Sequence, residues 1–202
     1  VKTHSEKLAD KKSGLWGHGW DANNEDFDDG CSVVGWPDKK TRRSHEYWGR
    51  ANGWVTMALA DALELAPPAS AYRKTLVKEF KSILKSLPEL QNKVSGHWYQ
   101  LLNYPNDPEN FEESSCTAMF AYAISKGVRL GVLNKKKYQP VADRAYQGLK
   151  SRSTVLIDGK LVPSRICGGT CIGDKSYYYH RKITTGTGFG IGAFMLLGME
   201  YL

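Results

Sequence analysis

The sequence predicts an all-α fold of helix hairpins, stacked as a solenoid or closed into a toroid, with one small β-hairpin inserted. Three observations carry this. Segments of helical length that are apolar or small on almost every side alternate with amphipathic ones. The alternation repeats along the chain. Each apolar segment is preceded by a polar, Gly- or Ser-rich stretch.

The first apolar segment runs from Trp54 to Leu65 and holds Trp54, Val55, Met57, Ala58, Leu59, Ala60, Ala62, Leu63 and Leu65. A helix apolar on most faces is expected to be buried on most faces. Pro67-Pro68 ends it. Next, Tyr72, Leu76, Phe80, Ile83, Leu84 and Leu87 recur at steps of three and four, while Arg73, Lys74, Lys78, Lys81 and Lys85 fill the other face. That is a surface helix. Ser114 or Ser115 then caps a second inner helix carrying Cys116, Met119, Phe120, Ala123 and Ile124, with Gly127 as its stop. Val141, Ala142, Ala145, Tyr146 and Leu149 mark another outer helix. Val155 to Pro163, centred on Asp158-Gly159, reads as a β-hairpin. The last inner helix spans about 190–202, with Ala193, Phe194, Met195, Leu196, Leu197 and Met199.

In a ring of parallel inner helices, the stretches 48–53, 112–115 and 184–190 gather at one end. Helix N-termini present unpaired N–H groups and partial positive charge, so a site there suits an anionic ligand. The composition agrees without deciding. Lys and Arg number 28 against 21 acids, a net charge of +7, which reads either as a solvated basic surface or as the mark of an anionic ligand. Nucleic acid is not expected: the densest basic runs, 39–43 and 135–137, accompany no nucleic-acid-binding motif. No apolar run reaches membrane-spanning length. The 202 residues suffice for one domain, and the start at Val1 reads as internal, so the compartment, cytoplasmic or secreted, stays open.

Of the four cysteines, Cys116 falls in a helical apolar pattern and reads as a core thiol. A disulfide between two of Cys31, Cys167 and Cys171 would require an oxidising compartment. No metal-ligand spacing is present, and neither a metal nor a cofactor is expected. Dinucleotide, P-loop, nucleophile-elbow and zincin motifs also fail.

Aromatic and polar residues crowd the first 54 positions: Trp16, His18, Trp20, Asp21, Trp36, Trp48, Arg50, Asn52 and Trp54. Indole faces stack on sugar rings, and Asp, Asn and His bind hydroxyls; the competing reading is a set of core aromatics. Trp54, inside the helix, reads first as core, whereas Trp48 and Trp20 read as site residues. Arg50 precedes a buried helix, where a lone guanidinium is costly. Its partner is either an internal acid, Asp21 or Glu46, or a ligand carboxylate gripped bidentately. His18, between two glycines and beside Trp20 and Asp21, reads either as a structural hydrogen-bonder or as a site residue. His97 is a weaker case of the same kind. Asn110-Phe111-Glu112-Glu113 offers an acid, although Glu at a helix start often serves only the dipole.

The stretch from Gly14 to Asp21, with Trp48-Gly49-Arg50-Ala51-Asn52-Gly53-Trp54, resembles the unsaturated rhamnogalacturonyl hydrolases of glycoside hydrolase family 105. Residues 96–100, 110–115 and 188–194 match that family in order, so the likeness covers nearly the whole chain. Family 88, the unsaturated glucuronyl hydrolases, is a related and less close match. The resemblance implies a six-hairpin (α/α) barrel and hydrolysis of unsaturated uronyl residues left by polysaccharide lyases, among them those of pectin. It implies that His18, Trp48, Arg50 and Trp54 line the substrate subsite, with Arg50 holding the uronate carboxylate. Trp20, Asp21 and Asn52 complete the residues read as substrate-binding.

Two departures from the family pattern follow. The family's catalytic Asp lies in an earlier segment, yet only seventeen residues precede His18 and none matches it. The catalytic acid is therefore unassigned, with Asp21 as the fallback. The stretch from Ala22 to Tyr47 is also longer than the family pattern suggests. The chain reads as the C-terminal part of a barrel whose N-terminal hairpins are missing. Its inner helices would then expose an apolar wall, to be covered by that missing half, by self-association or by a companion chain. The alternative is a non-catalytic carbohydrate-binding or interaction module.

Overall fold

The computed structural model describes residues 1–23, 28–105 and 107–202. Part of the long stretch between Ala22 and Tyr47, residues 24–27, lies outside that description. In chain order the elements are α1 (Lys2–Leu8), α2 (Gly49–Leu65), α3 (Arg73–Leu84), α4 (Leu87–Leu90), β1 (Trp98–Tyr99), β2 (Glu112–Glu113), α5 (Ser114–Arg129), α6 (Lys135–Arg152), β3 (Thr154–Ile157), β4 (Lys160–Pro163), β5 (Ile166–Cys167), α7 (Lys175–Tyr179), β6 (Ile183–Thr184) and α8 (Gly188–Met199).

Small side chains put α5 at the centre. It is buried continuously from Ser114 to Gly127 and packs against α2, α6 and α8. The approach of α2 is close enough to require glycine. A Cβ on Gly53 would lie 2.6 Å from Met119 Sδ, and one on Gly49 would lie 2.9 Å from Cys116 Sγ. Behind α2, helix α3 buries Leu76, Phe80, Ile83 and Leu84. Against α5, helix α6 buries Tyr138, Val141, Ala142, Ala145 and Leu149. The inner–outer alternation read from the sequence is thus present, and one contiguous core joins these faces.

The three inner helices run parallel. At their N-terminal ends, Arg50 of α2 lies over Phe189 of α8, and Gly49 meets Cys116 of α5. At their C-terminal ends, Lys126 of α5 pairs with Asp61 and Glu64 of α2, both at 2.7 Å, while Arg129 reaches Glu64 and Glu200 at 2.8 Å. Cations in the last turn of α5 also suit its dipole.

The three sheets are antiparallel pairs: β1 with β2, β3 with β4, and β5 with β6. The β3–β4 hairpin turns at Asp158 and Gly159, both with positive φ (49° and 73°), the geometry that Asp-Gly favours. The two other pairs have two residues per strand, too few for an alternating pattern to register in the sequence.

Four sequence expectations need correction. The N-cap of α5 is Glu113, not a serine. Its fully buried carboxylate accepts from the backbone N–H of Ser115 and Cys116 and, across to β5, from the N–H of Cys167 at 2.9 Å. Gly127 does not stop α5; it makes room for Phe80 and Leu133, and the chain turns at Gly131 with φ of 68°. Tyr72 is exposed, and Leu87 belongs to α4 rather than α3. Finally, α2 and α8 are not buried on most faces. Trp54 (47%) and Leu65 (82%) on α2 are exposed, as are Met195 (67%) and Met199 (66%) on α8. These side chains leave an exposed apolar stripe along each of the two helices.

Candidate functional site

The N-terminal end of the inner helices is assembled from the start of α2 outward. Trp48 holds extended backbone as the N-cap residue, and Gly49 N–H donates to Gln100 O at 2.7 Å. Asn52, fully buried, spends its amide on the scaffold. Its Oδ1 accepts from Trp16 N at 2.8 Å, and its Nδ2 donates to Trp16 O and Trp48 O at 2.9 and 3.0 Å. This corrects the reading of Asn52 as substrate-binding: both amide protons go to backbone carbonyls, the oxygen already accepts from Trp16, and the side chain is fully buried.

Arg50 is 3% exposed. Its Nη1 donates to Cys167 O and its Nη2 to Gly168 O at 2.5 Å, so one edge of the guanidinium grips the loop after β5. Its Cζ lies over the Trp48 ring at 4.6 Å from the centroid and over the Phe189 ring at 4.3 Å, two cation–π contacts. Among the described residues, no carboxylate forms an ion pair with it. Neither internal partner weighed for it is bonded to it. Glu46 accepts instead from Asn103 Nδ2 and Tyr104 OH. Asp21 Oδ1 accepts from Asn23 N–H in a local turn. Carbonyl dipoles and π faces stabilise the cation without cancelling its charge.

Beside it, the His18 ring lies 4.6 Å from Trp48 and 5.9 Å from Tyr178. Its Nδ1 is 2.7 Å from the Tyr178 hydroxyl. Burial, with the nearby Arg50 charge adding to it, pulls the His18 pKa down to about 4. The imidazole is therefore neutral at neutral pH. Trp48, 5% exposed, keeps its Nε1 buried with no hydrogen-bond partner among the described residues. A buried orphan donor in such surroundings is a place where a ligand oxygen fits.

Two ties fix the loops that carry these groups. A disulfide joins Cys31 to Cys171, with Cα atoms 5.8 Å apart, settling which pair among three cysteines is bonded. Val33 N–H donates to Ile172 O at 2.9 Å alongside it. Cys116 is a buried free thiol, as its helical pattern implied, and Cys167 is a second.

The other residues read from sequence divide sharply. Trp20 sits between two cations, Lys7 at 4.1 Å and Arg42 at 5.0 Å, beside a cavity of about 420 Å³ lined also by Glu6, Asp10 and Arg43. No contact joins it to Arg50 among the described residues. Trp54, read first as core, projects from the bare stripe of α2. His97 is fully buried, bonded through Nδ1 to Ser95 O and through Nε2 to Ser153 Oγ, a structural role. Glu112 accepts from Asn92 Nδ2. So the structure brings together His18, Trp48 and Arg50, and leaves Trp20, Asp21, Asn52 and Trp54 outside that cluster. Sequence reasoning missed Phe189 and Tyr178. Phe189 lay inside a recognised Gly-rich stretch; Tyr178 is one of three consecutive tyrosines, with no spacing to single it out. Among the described residues, no group of three or more His, Cys, Asp and Glu gathers as a metal cluster.

The whole chain, residues 1–202, matches the profile described as Glycosyl Hydrolase Family 88. The chain belongs to that family of glycoside hydrolases. It is also similar to a solved family 105 glycoside hydrolase of C. acetobutylicum ATCC 824, with a TM-score of 0.88 and 32% identity over 99% of this chain and 55% of that one. Protein Atu3128 of Agrobacterium fabrum is 27% identical over 94% of this chain and 82% of its own length. The unsaturated 3S-rhamnoglycuronyl hydrolase of Formosa agariphila is 29% identical over 77% of this chain and 38% of its own length. The chain thus spans about half of the solved family 105 enzyme and less of the Formosa hydrolase. The solved members of families 88 and 105 have a helical barrel fold, consistent with the parallel inner helices and outer layer seen here.

Proposed function

We propose that this chain supplies the uronate-binding side of a glycoside hydrolase site that acts on lyase-generated, unsaturated uronyl oligosaccharides. Arg50 carries the reading. It is a buried guanidinium at a helix N-terminus, in cation–π contact with Trp48 and Phe189, with no carboxylate paired to it among the described residues. A sugar carboxylate completes that arrangement better than a neutral group does. Trp48 offers an indole face and an unpaired N–H, and neutral His18 offers a hydrogen bond to a hydroxyl. The family match and the named activity of the Formosa relative support the same substrate class.

In the chemistry proposed, a carboxylic acid delivers a proton to the C4–C5 double bond, water adds, and the resulting hemiketal opens with loss of the glycosidic bond. The fold is read as an arc of a six-hairpin barrel, and the bare stripes of α2 and α8 as faces that pack on further hairpins, of the same protein or a companion. The decisive assay follows the near-ultraviolet absorbance of unsaturated oligosaccharides from pectin, ulvan and glycosaminoglycans. With the hairpins that complete the barrel present beside this chain, loss of absorbance with at least one of them is expected, and its persistence with all three refutes turnover. Binding without turnover, seen by calorimetry and abolished in Arg50→Ala, would instead establish the lectin-like reading.

A further inference from the structure

The groups around His18 fix its orientation and leave one nitrogen to be explained. Tyr178 is fully buried. Its backbone carbonyl accepts from Gln100 Nε2 at 2.5 Å and from Arg181 N at 3.1 Å. Its neighbour Tyr177 accepts at its hydroxyl from Cys171 N–H at 3.0 Å, next to the Cys31–Cys171 bond. Asp174 caps α7 by accepting from Tyr177 N–H at 2.8 Å. The phenol is therefore held from both sides of a cross-linked loop.

The hydroxyl of Tyr178 has two described partners. Gly173 N–H donates to it at 3.4 Å, and His18 Nδ1 lies at 2.7 Å. A hydroxyl carries one proton and two lone pairs. Gly173 takes one lone pair; if a protonated Nδ1 donated to the other, the phenolic proton of the fully buried Tyr178 would have no acceptor among the described residues, so satisfying that proton makes His18 Nδ1 its acceptor. Burial, with Glu46, Tyr177 and Cys167 adding to it, raises the Tyr178 pKa, which keeps that proton in place. Arg50 is the charged group that acts on His18 from α2.

We infer that Tyr178 is a positioning residue that fixes His18 in the tautomer with Nδ1 bare and Nε2 protonated, so that a neutral N–H donor stands beside the Arg50–Trp48 site. His18 Nε2 has no partner among the described residues, and the donor suits a sugar hydroxyl or a uronate oxygen. The role of that donor toward a sugar rests on the function proposed above; the tautomer does not.

Long-range nitrogen–proton NMR on the labelled protein tests the two separately. His18 is assigned by the signal lost in His18→Gln. At pH 7 the expected spectrum is the neutral Nε2–H form, and an Nδ1–H or doubly protonated ring overturns the inference without touching the substrate class. Tyr178→Phe keeps the ring packing and removes only the hydroxyl. It is expected to raise the His18 pKa, because the neutral ring loses its donor, and to weaken binding of an unsaturated uronyl disaccharide by about threefold to tenfold. An unchanged His18 pKa in a folded Tyr178→Phe protein refutes the positioning role. A changed pKa with no disaccharide bound by either protein keeps the positioning role and refutes the proposed function.

Discussion

The two ends of the inner helices solve the same problem in opposite ways. At the C-terminal end, α5 buries Lys126 and surrounds it with Asp61 and Glu64, while Arg129 takes Glu64 and Glu200. At the N-terminal end, α2 buries Arg50 and surrounds it with two carbonyls and two aromatic faces. The first cation is neutralised within the chain and clamps helices together. The second is stabilised but keeps its charge. A buried cation with no directly paired carboxylate among the described residues costs stability, even with the Glu113 carboxylate bonded to the other side of Cys167, and a gain that offsets the cost is affinity for an anion. The difference is electrostatic, and on the function proposed above it marks the N-terminal end as the one that meets the substrate.

Breaking the functional end should have the largest effect. Arg50→Ala removes the carboxylate grip, and disaccharide affinity should fall by about 100-fold or more, read by calorimetry. Arg50→Lys should recover little, since an ammonium lacks the planar fork that holds both carbonyls and keeps the charge over the rings. Next comes pH. Because the His18 pKa is depressed to about 4 in the folded protein, the unfolded chain binds more protons between about 6.5 and 4. Stability is therefore full above pH 6.5 and falls as pH drops to 4, by at most about 3 kcal/mol from this group. Urea unfolding of His18→Gln should show a shallower fall across that window.

The structural end should respond in the other sense. Lys126→Met leaves Asp61 and Glu64 facing each other without their shared cation, although both carboxylates are partly exposed. Unfolding free energy should drop by about 1–2 kcal/mol with disaccharide affinity unchanged. A loss of affinity there would erase the distinction between the two ends. The smallest effect expected is for Phe189→Leu, which removes one π face from Arg50. Affinity should weaken by about threefold to fivefold, with the melting temperature nearly constant.

The residues differ in how legible they were. Arg50 stood out because a charge next to an apolar helix has few solutions, and the solution proved to be none of the internal acids weighed for it. Asn52 lay in the same motif and misled: the sequence cannot say whether an amide faces a ligand or two backbone carbonyls. Glu113 was read as a dipole partner and serves as the cap itself, tying α5 to β5. Trp54 and the α8 methionines looked like core because periodicity reports what a helix would bury, not what is present to bury it.

Local chemistry, written in the chain order, determined the helices, their apolar or amphipathic character and the Asp-Gly hairpin, because each depends on neighbours a few residues apart. Tertiary structure alone decided the Cys31–Cys171 pairing, the loop carbonyls that hold Arg50 across more than a hundred positions, and the Tyr178 hydroxyl against His18. Those contacts join segments distant in sequence, and only the packing of α2, α5 and α8 brings them within bonding distance.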